Sequence, residues 1–256
     1  MAEPKRRIFD RAPNTWRDLQ NCVAQVFSEI GCRVVTDTKV ALPRGSVELD
    51  VFVLDTMTVP HSNYVCECKN WERRVPKSVV HSFRTVISEI GANRGLLISR
   101  RGFQLGARDA AKFTNIDLLS WREFEDLMFD RWLEGVADKL NPFFVSAHSL
   151  MDPSDLELWK MRECTEESYK EWTRICERHS LVTLWALFHW HSNAGLGRIP
   201  SINLSDEGVL SKGGVPKVLN TYRKIVDAAP LFCRSARQEL ERFWGLCNDG
   251  QKIHKR

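Results

Sequence analysis

The segment Tyr64–Lys69 constrains the fold most strongly, because its charged and thiol side chains alternate along the chain. Side chains of a β-strand point to its two faces in turn, so Glu67 and Lys69 share one face. Cys66 and Cys68 share the other face. Thiols suit a buried face, whereas a carboxylate and an ammonium do not. The segment therefore predicts a strand with one face in the core and a charged face opposite.

A second strand directs another carboxylate to the same place. The apolar run Val47–Leu54 alternates in the same way and carries Glu48 and Asp50 on one face. If the two strands pair with their charged faces aligned, Asp50 converges with Glu67 and Lys69, and Glu48 stands one pleat further along.

These groups match what hydrolysis of a phosphodiester requires. Two carboxylates, Asp50 and Glu67, and the backbone carbonyl of Cys68 are oxygen ligands of the kind that Mg²⁺ prefers. Such an ion activates a bound water and stabilises charge on the phosphate. The ammonium of Lys69 can orient the attacking water or neutralise developing charge. We therefore predict a Mg²⁺ site, with Mn²⁺ able to substitute.

The two strands lie within an alternating series of helices and strands. Apolar spacing predicts helices at 14–30, 76–90, 104–113 and 121–140, and strands at 32–35, 47–54, 64–69, 95–99 and 116–119. Asn14 or Thr15 can cap the first helix, and Gly31 ends it. This order is typical of an α/β sandwich with a mixed central sheet flanked by helices.

The second half of the chain has a different character. Strand patterns mostly vanish after Pro142, and helices are predicted at 155–178, 181–191, 217–228 and 231–247, with a loop at 193–214. We therefore predict two domains, at 1–140 and 150–256, the second mainly α-helical. His189 and His191 fall on different faces of their predicted helix, which argues against a shared metal ion. Target recognition, dimerisation and sensing of a partner all remain open for this half.

The spacing of the charged residues resembles a known motif. Asp50 followed by Glu67-Cys68-Lys69 is similar to the Asp…Glu-x-Lys motif of the PD-(D/E)xK nucleases. The apolar strand Gly95–Ser99 and the order of helices resemble the Mrr-like branch of restriction endonucleases. The resemblance implies a restriction-endonuclease-like sandwich. It also implies a metal-dependent endonuclease that cleaves DNA as a restriction or anti-phage defence effector.

The resemblance covers residues 14–128 and has one departure. Gln20 stands where this branch has a glutamate in the first helix, and an amide cannot contribute charge to a metal. We assign Gln20 to the catalytic set with Asp50, Glu67 and Lys69, and regard Glu48 as a residue that can compensate. The departure affects the expected metal affinity rather than the fold.

A set of basic residues follows the Glu-x-Lys strand. It comprises Arg73, Arg74, Lys77, Arg84, Arg94, Arg100 and Arg101. Such residues beside a nuclease site bind backbone phosphates, and we predict that role for Arg73, Arg74, Lys77, Arg100 and Arg101. The alternative is a solvated helix face with scattered loop charges.

The composition of the chain is compatible with a nuclease but does not by itself indicate one. The chain has 256 residues and a formal net charge of +4, a mild excess that is compatible with a polyanionic partner. No stretch approaches the roughly 18 apolar residues of a membrane span, and the first ten residues lack the apolar stretch of a secretory signal. We therefore expect no membrane association and a cytoplasmic location. The eight cysteines show no paired zinc spacing and are interpreted mostly as core residues.

Two other functions remain open. Because Gln20 replaces the expected glutamate, one alternative is a catalytically weak or inactive nuclease fold that serves as a DNA-binding or scaffold module. A structure-selective or RNA-directed nuclease of the same fold is the other alternative. DNA is the expected partner, and the C-terminal half can supply a homodimer contact or a surface for a defence-system protein.

Overall fold

The structure is a computed structural model that describes residues 7–42, 45–151, 165–179, 202–203, 218–219 and 221–253. The chain divides into two compact units, Arg6–Gly135 and Val136–Arg256. Three predicted stretches lie outside the described residues: 155–164 of the helix predicted at 155–178, the helix at 181–191 with His189 and His191, and the loop at 193–214 apart from residues 202–203.

The N-terminal unit is built on one five-stranded sheet in the order β1-β2-β3-β4-β5. The strands β1, β2 and β3 are antiparallel neighbours, whereas β3, β4 and β5 are parallel. The elements are α1 (Trp16–Ile30), β1 (Arg33–Leu42), β2 (Gly45–Asp55), β3 (Ser62–Lys69), α2 (Lys77–Ile90), β4 (Arg94–Ser99), α3 (Leu105–Ala111), β5 (Ile116–Ser120) and α4 (Trp121–His148). The predicted mixed sheet flanked by helices is confirmed.

Helix α1 is bounded by the caps that the sequence offers. Of the two candidate N-caps, Thr15 is the one used: its side chain accepts from the Asp18 N–H, and the Asp18 carboxylate accepts from the Thr15 N–H. Gly31 ends the helix with φ 105°, a left-handed conformation that suits glycine. The buried face of α1 then packs against the sheet through Leu19, Gln20, Val23, Val26, Phe27 and Ile30.

The opposite face of the sheet is covered by α2 and α3. Gly95 in β4 allows the close approach of α2, because a Cβ there would lie 2.8 Å from side-chain atoms of Phe83 and Ile87. Leu97 in the same strand and Ala107 in α3 complete this part of the core, and both are fully buried. The wholly apolar strand is thus covered on both faces, as its sequence predicts.

Strand β1 is longer than the predicted strand at 32–35. It pairs with β2 from Arg33 opposite Leu54 to Leu42 opposite Gly45. β1 is an edge strand with no fully buried residue, and its middle part, residues 36–39, carries only polar side chains. Its sequence therefore lacks the apolar alternation by which the other strands were found.

The described part of the C-terminal unit is mainly helical. It contains the end of α4, α5 (Glu166–Arg178), the short pair β6 (Ile202–Asn203) and β7 (Val218–Leu219), and α6 (Tyr222–Ile253). Trp172 of α5 is buried, and its indole N–H donates to the Leu150 carbonyl at 3.3 Å. No helix among the described residues is both long enough and apolar enough to cross a membrane.

Three predicted boundaries in this half are wrong. Helix α4 continues through Pro142 to His148 instead of ending near residue 140, and α6 continues through Pro230 instead of breaking into two helices. A proline removes one backbone hydrogen bond, and buried residues beyond each proline, such as Phe144 and Phe232, offset that loss. The start predicted at residue 217 is also wrong, since residues 218–219 form β7.

Candidate active site

The candidate site forms where β2 and β3 stop pairing. Their antiparallel register runs as far as Val51 opposite Cys66, and one further step would place Asp50 opposite Glu67. At that step the Asp50 carboxylate, through Oδ2, accepts a hydrogen bond of 2.6 Å from the Cys68 N–H. The two carboxylates are thereby brought together from neighbouring strands, as the sequence predicts.

The alternation predicted for β3 is present in the structure. Cys66 and Cys68 are fully buried, whereas the side chains of Glu67 and Lys69 are 22% and 20% exposed. Lys69 Nζ donates to Glu67 Oε1. The same ammonium lies 5.5 Å from the centre of the Trp71 ring, a cation–π distance. Lys69 is thus held between a carboxylate and an aromatic face.

Both carboxyl groups occupy surroundings that disfavour their charge. Burial raises the pKa of Asp50 above its ordinary value, and the hydrogen bond from Cys68 and the charge of Lys69 oppose that rise. Burial, followed by the negative charge of Asp50, raises the pKa of Glu67. A cation between the two carboxylates would relieve both effects, so this pair fits a bound metal ion.

The backbone of β3 offers a third oxygen. The Lys69 carbonyl accepts from the Arg100 N–H, so it points toward β4. Backbone groups alternate in direction along a strand, so the Cys68 carbonyl points toward the β2 side, where its own N–H meets Asp50. Among the residues that the structure describes, no group of three His, Cys, Asp or Glu side chains is placed to hold a metal ion. The oxygens that this part of the site offers to a cation are those of the two carboxylates and of one backbone carbonyl.

Gln20 contacts the site through the backbone of Asp50. Its side chain is fully buried, and Nε2 donates both to the Asp50 carbonyl at 2.7 Å and to Asp37 Oδ1 at 2.9 Å. Its Oε1 accepts from Arg17 at 2.8 Å. The structure therefore places Gln20 beside Asp50 with its donor turned toward the strand. Sequence reasoning missed Asp37 and Arg17, because a lone aspartate in an edge strand carries no pattern.

The basic residues after β3 and β4 are brought to the same end of the sheet as Lys69. The Val75 N–H donates to the Gly102 carbonyl at 3.0 Å, and the Gln104 N–H donates to the Val75 carbonyl at 3.0 Å. These bonds hold segments 70–76 and 100–104 side by side. The predicted phosphate-binding residues Arg73, Arg74, Lys77, Arg100 and Arg101 are exposed on these segments and at the start of α2. We call this set the basic loops.

Glu72 lies in the same segment as Arg73 and Arg74, and no sequence pattern singles it out. Glu72 accepts from Arg100 at 2.7 Å and from Arg101 at 2.9 Å. The hydrogen bond from Arg101 and the two positive charges lower the pKa of Glu72. Arg94, by contrast, starts β4 at the far end of the strand from Lys69 and pairs there with Asp117. It therefore stands apart from the candidate site.

These features define a restriction-endonuclease-like fold: a mixed sheet between helices, with carboxylates and a lysine where two central strands separate. Residues 12–128 match the model of the Mrr_cat family, described as restriction endonuclease. The N-terminal half of the chain therefore carries a restriction-endonuclease domain of the Mrr-like branch of the PD-(D/E)xK nucleases. The resemblance predicted from the sequence is confirmed.

Other comparisons add little. No curated protein matches the chain. Among solved structures, the crystal structure of AF1548, a protein of unknown function, matches with 19% sequence identity and a TM-score of 0.36. The match covers 40% of this chain and 56% of AF1548. A likeness at this level carries no argument about fold or function.

Proposed function

We propose that the chain is a metal-dependent endonuclease that hydrolyses phosphodiester bonds of DNA, with Mg²⁺ as its cofactor and Mn²⁺ able to substitute. The observation that supports this most directly is the meeting of Asp50, Glu67 and Lys69 at the separation of β2 and β3. Nucleases of the PD-(D/E)xK superfamily generally use divalent metals, and the donor set here consists of the oxygen ligands that such ions prefer.

Asp50, Glu67 and the Cys68 carbonyl would hold the ion. When bound, it supplies an acidified water and neutralises charge on the scissile phosphate. The hydrogen bond from the Cys68 N–H fixes Oδ2 of Asp50 and so sets the direction of the carboxylate. Because Asp50 and Glu67 come from adjacent strands of one sheet, their separation is set by rigid elements rather than by loops.

We assign to Lys69 the role of orienting the attacking water. Its ammonium is tethered by Glu67 on one side and by the face of Trp71 on the other, so its position is defined before the substrate binds. From there it can orient the water or stabilise negative charge that develops on the phosphate. Removal of the ammonium is expected to impair the chemical step more than the binding of DNA.

The basic loops are proposed to bind the DNA backbone on either side of the scissile phosphate. Arg73, Arg74 and Lys77 lie on one segment, and Arg100 and Arg101 lie on the adjacent one. All five are exposed and lie at the end of the sheet that carries Lys69. Contacts of this kind position a duplex without reading its sequence.

We further propose that the biological role is restriction of foreign DNA, on the strength of the Mrr-like family of the domain. A bacterial host expressing the wild-type chain is expected to show reduced phage plating. The same host expressing Lys69→Ala is expected to plate phage at the level of an empty vector. Equal protection by both proteins would contradict a role that depends on cleavage.

Plasmid cleavage tests the central proposal. Wild-type protein is expected to nick or linearise plasmid DNA with Mg²⁺ or Mn²⁺ and to lose this activity in EDTA. Asp50→Ala and Lys69→Ala are expected to bind DNA without cutting it. Asp117→Asn is the matched control, since it removes a carboxylate of the same sheet, on β5 beside Arg94, and should cut normally. Wild-type protein that binds DNA but never cuts it with any metal would favour the binding-module alternative.

A further inference from the structure

An irregularity in β1 lies directly opposite Asp50. The β1–β2 register pairs Thr36 with Val51 and Thr38 with Leu49, which places Asp37 across from Asp50. Asp37 has φ 50°, a left-handed conformation that is uncommon outside glycine and is tolerated best by Asn and Asp. The strand turns at this residue, and its carboxylate is directed to the buried amide of Gln20.

The hydrogen bonds of Gln20 select one orientation of its amide. The NH₂ group donates to the Asp50 carbonyl and to Asp37, and the oxygen accepts from Arg17. Arg17 also pairs with Asp37 at 2.6 Å. If the amide were reversed, its oxygen would face the Asp50 carbonyl and the Asp37 carboxylate, and both contacts would be repulsive. Asp37 and Arg17 together therefore keep the donor turned toward Asp50.

We propose that Asp37 is a positioning residue for Asp50 and acts through Gln20. The chain of contacts runs from the Asp37 carboxylate to the Gln20 amide and from that amide to the Asp50 carbonyl. It ends at the Asp50 carboxylate, which holds the Cys68 N–H. The inference rests on the proposed function for its catalytic meaning, because it assigns Gln20 to support of a metal ligand rather than to the metal itself. Partners of metal ligands commonly change metal affinity when they are replaced.

The left-handed backbone at Asp37 allows a matched pair of variants. Asp37→Gly and Asp37→Asn both accept φ near 50°, so neither introduces backbone strain. Asn retains an oxygen that can accept from Gln20 but has no charge, whereas Gly removes both the acceptor and the charge. A difference between the two variants therefore reports the hydrogen bond, and an equal effect of both reports the lost charge alone.

Two measurements on the full chain test whether Asp37 positions Asp50. Mn²⁺ binding is measured by the loss of the free-ion signal in electron paramagnetic resonance. Hydrogen exchange of the Cys68 amide is measured by NMR in the metal-free protein, with the buried Ile98 amide of β4 as the internal reference. We expect Asp37→Gly to weaken Mn²⁺ binding about tenfold and to speed exchange at Cys68 but not at Ile98. Asp37→Asn should stay within about twofold of wild type in both.

The outcomes separate this inference from the proposed function. Wild-type exchange at Cys68 in Asp37→Gly, or equal weakening of Mn²⁺ binding in both variants, would overturn the positioning role and leave the nuclease proposal standing. Failure of the wild-type protein to bind Mn²⁺ would overturn the proposed metal site. The exchange measurement would still show whether Asp37 positions the Asp50 carboxylate.

Discussion

The carboxylate of Asp50 accepts a 2.6 Å hydrogen bond from the Cys68 N–H at the point where β2 and β3 stop pairing. A side chain of one strand thus takes the place that a backbone carbonyl holds elsewhere in the ladder. The bond orients Asp50 toward Glu67 and partly offsets the rise in the Asp50 pKa that burial causes. The Asp50 carboxylate is therefore positioned by the sheet itself.

Replacement of Asp50 by asparagine is expected to stabilise the metal-free protein. Asparagine can still accept from the Cys68 N–H, and it removes a charge that burial disfavours. We expect the Tm at neutral pH to rise by about 2–4 °C, the change that roughly 1 kcal/mol produces in a chain of this size. Mg²⁺ should raise the Tm of wild type but not of Asp50→Asn, as differential scanning fluorimetry can show.

The difference in Tm between Asp50→Asn and the wild-type protein is expected to depend on pH in a defined direction. The folded-state pKa of Asp50 lies above its unfolded value, so the ionised carboxylate lowers stability above the folded pKa. As the pH falls through that pKa, Asp50 takes up a proton and the cost disappears. The Tm difference between Asp50→Asn and wild type should therefore narrow on acidification in EDTA. A difference that widens would contradict the electrostatic account.

Replacement of Glu72 by glutamine is expected to strengthen the binding of DNA. Glu72 pairs with both Arg100 and Arg101, so it competes with phosphates for these two guanidinium groups. We expect affinity for a short duplex to rise about twofold to fivefold at low salt, measured by fluorescence anisotropy with Ca²⁺. Asp126→Asn is the control, because it breaks a similar exposed pair with Arg122 on α4. A fall in affinity for Glu72→Gln would show instead that Glu72 orients the arginines for binding.

Arg100 and Arg101 are expected to account for part of the salt dependence of DNA binding. Each lost phosphate contact lowers the slope of log K against log salt concentration by about 0.9. The double variant Arg100→Ala/Arg101→Ala should therefore show a slope smaller by about 2. Arg94→Ala should leave the slope unchanged, since Arg94 pairs with Asp117 away from the site. Equal slopes for wild type and the double variant would remove these arginines from the interface.

Gly135 is expected to be indispensable for the packing of α4 on α1. A Cβ at this position would lie 2.6 Å from the Ile30 Cα and 2.8 Å from the Glu29 carbonyl oxygen, and backbone atoms cannot easily move aside. We expect Gly135→Ala to lower the free energy of unfolding by about 1–3 kcal/mol in urea denaturation.

The matched control is Gly106→Ala in α3. A Cβ at Gly106 would lie 3.7 Å from Lys77, an ordinary contact distance. The change should be neutral or stabilising by up to about 1 kcal/mol, because alanine favours a helix over glycine. Similar effects of both substitutions would contradict the close approach at Gly135.

The parts of the fold that the sequence predicts are those with strong local patterns. The apolar strand Gly95–Ser99 and the alternation in Tyr64–Lys69 each reveal their burial directly. The edge strand β1 was found only in part, because solvent on its outer side removes the apolar signal. The continuation of α4 past Pro142 depends on tertiary packing, which outweighs a local preference that the sequence displays clearly.

The candidate site, like the fold, could be predicted from the sequence only where the local pattern is strong. The meeting of Asp50 with Glu67 follows from strand periodicity and the register of two neighbouring strands. The contacts of Asp37 and Glu72 do not follow, because each depends on a loop or an irregular residue whose direction only the folded chain defines. Gln20 could be placed near the site from the sequence, but the direction of its amide is set by Asp37 and Arg17.

The proposed metal site is tested most directly by anomalous diffraction from crystals of the wild-type protein soaked in Mn²⁺. We predict a peak between the carboxylates of Asp50 and Glu67, within coordination distance of the Cys68 carbonyl oxygen, and no such peak in Asp50→Ala crystals. A wild-type map with no peak between these two carboxylates at saturating Mn²⁺ would contradict the proposed metal site.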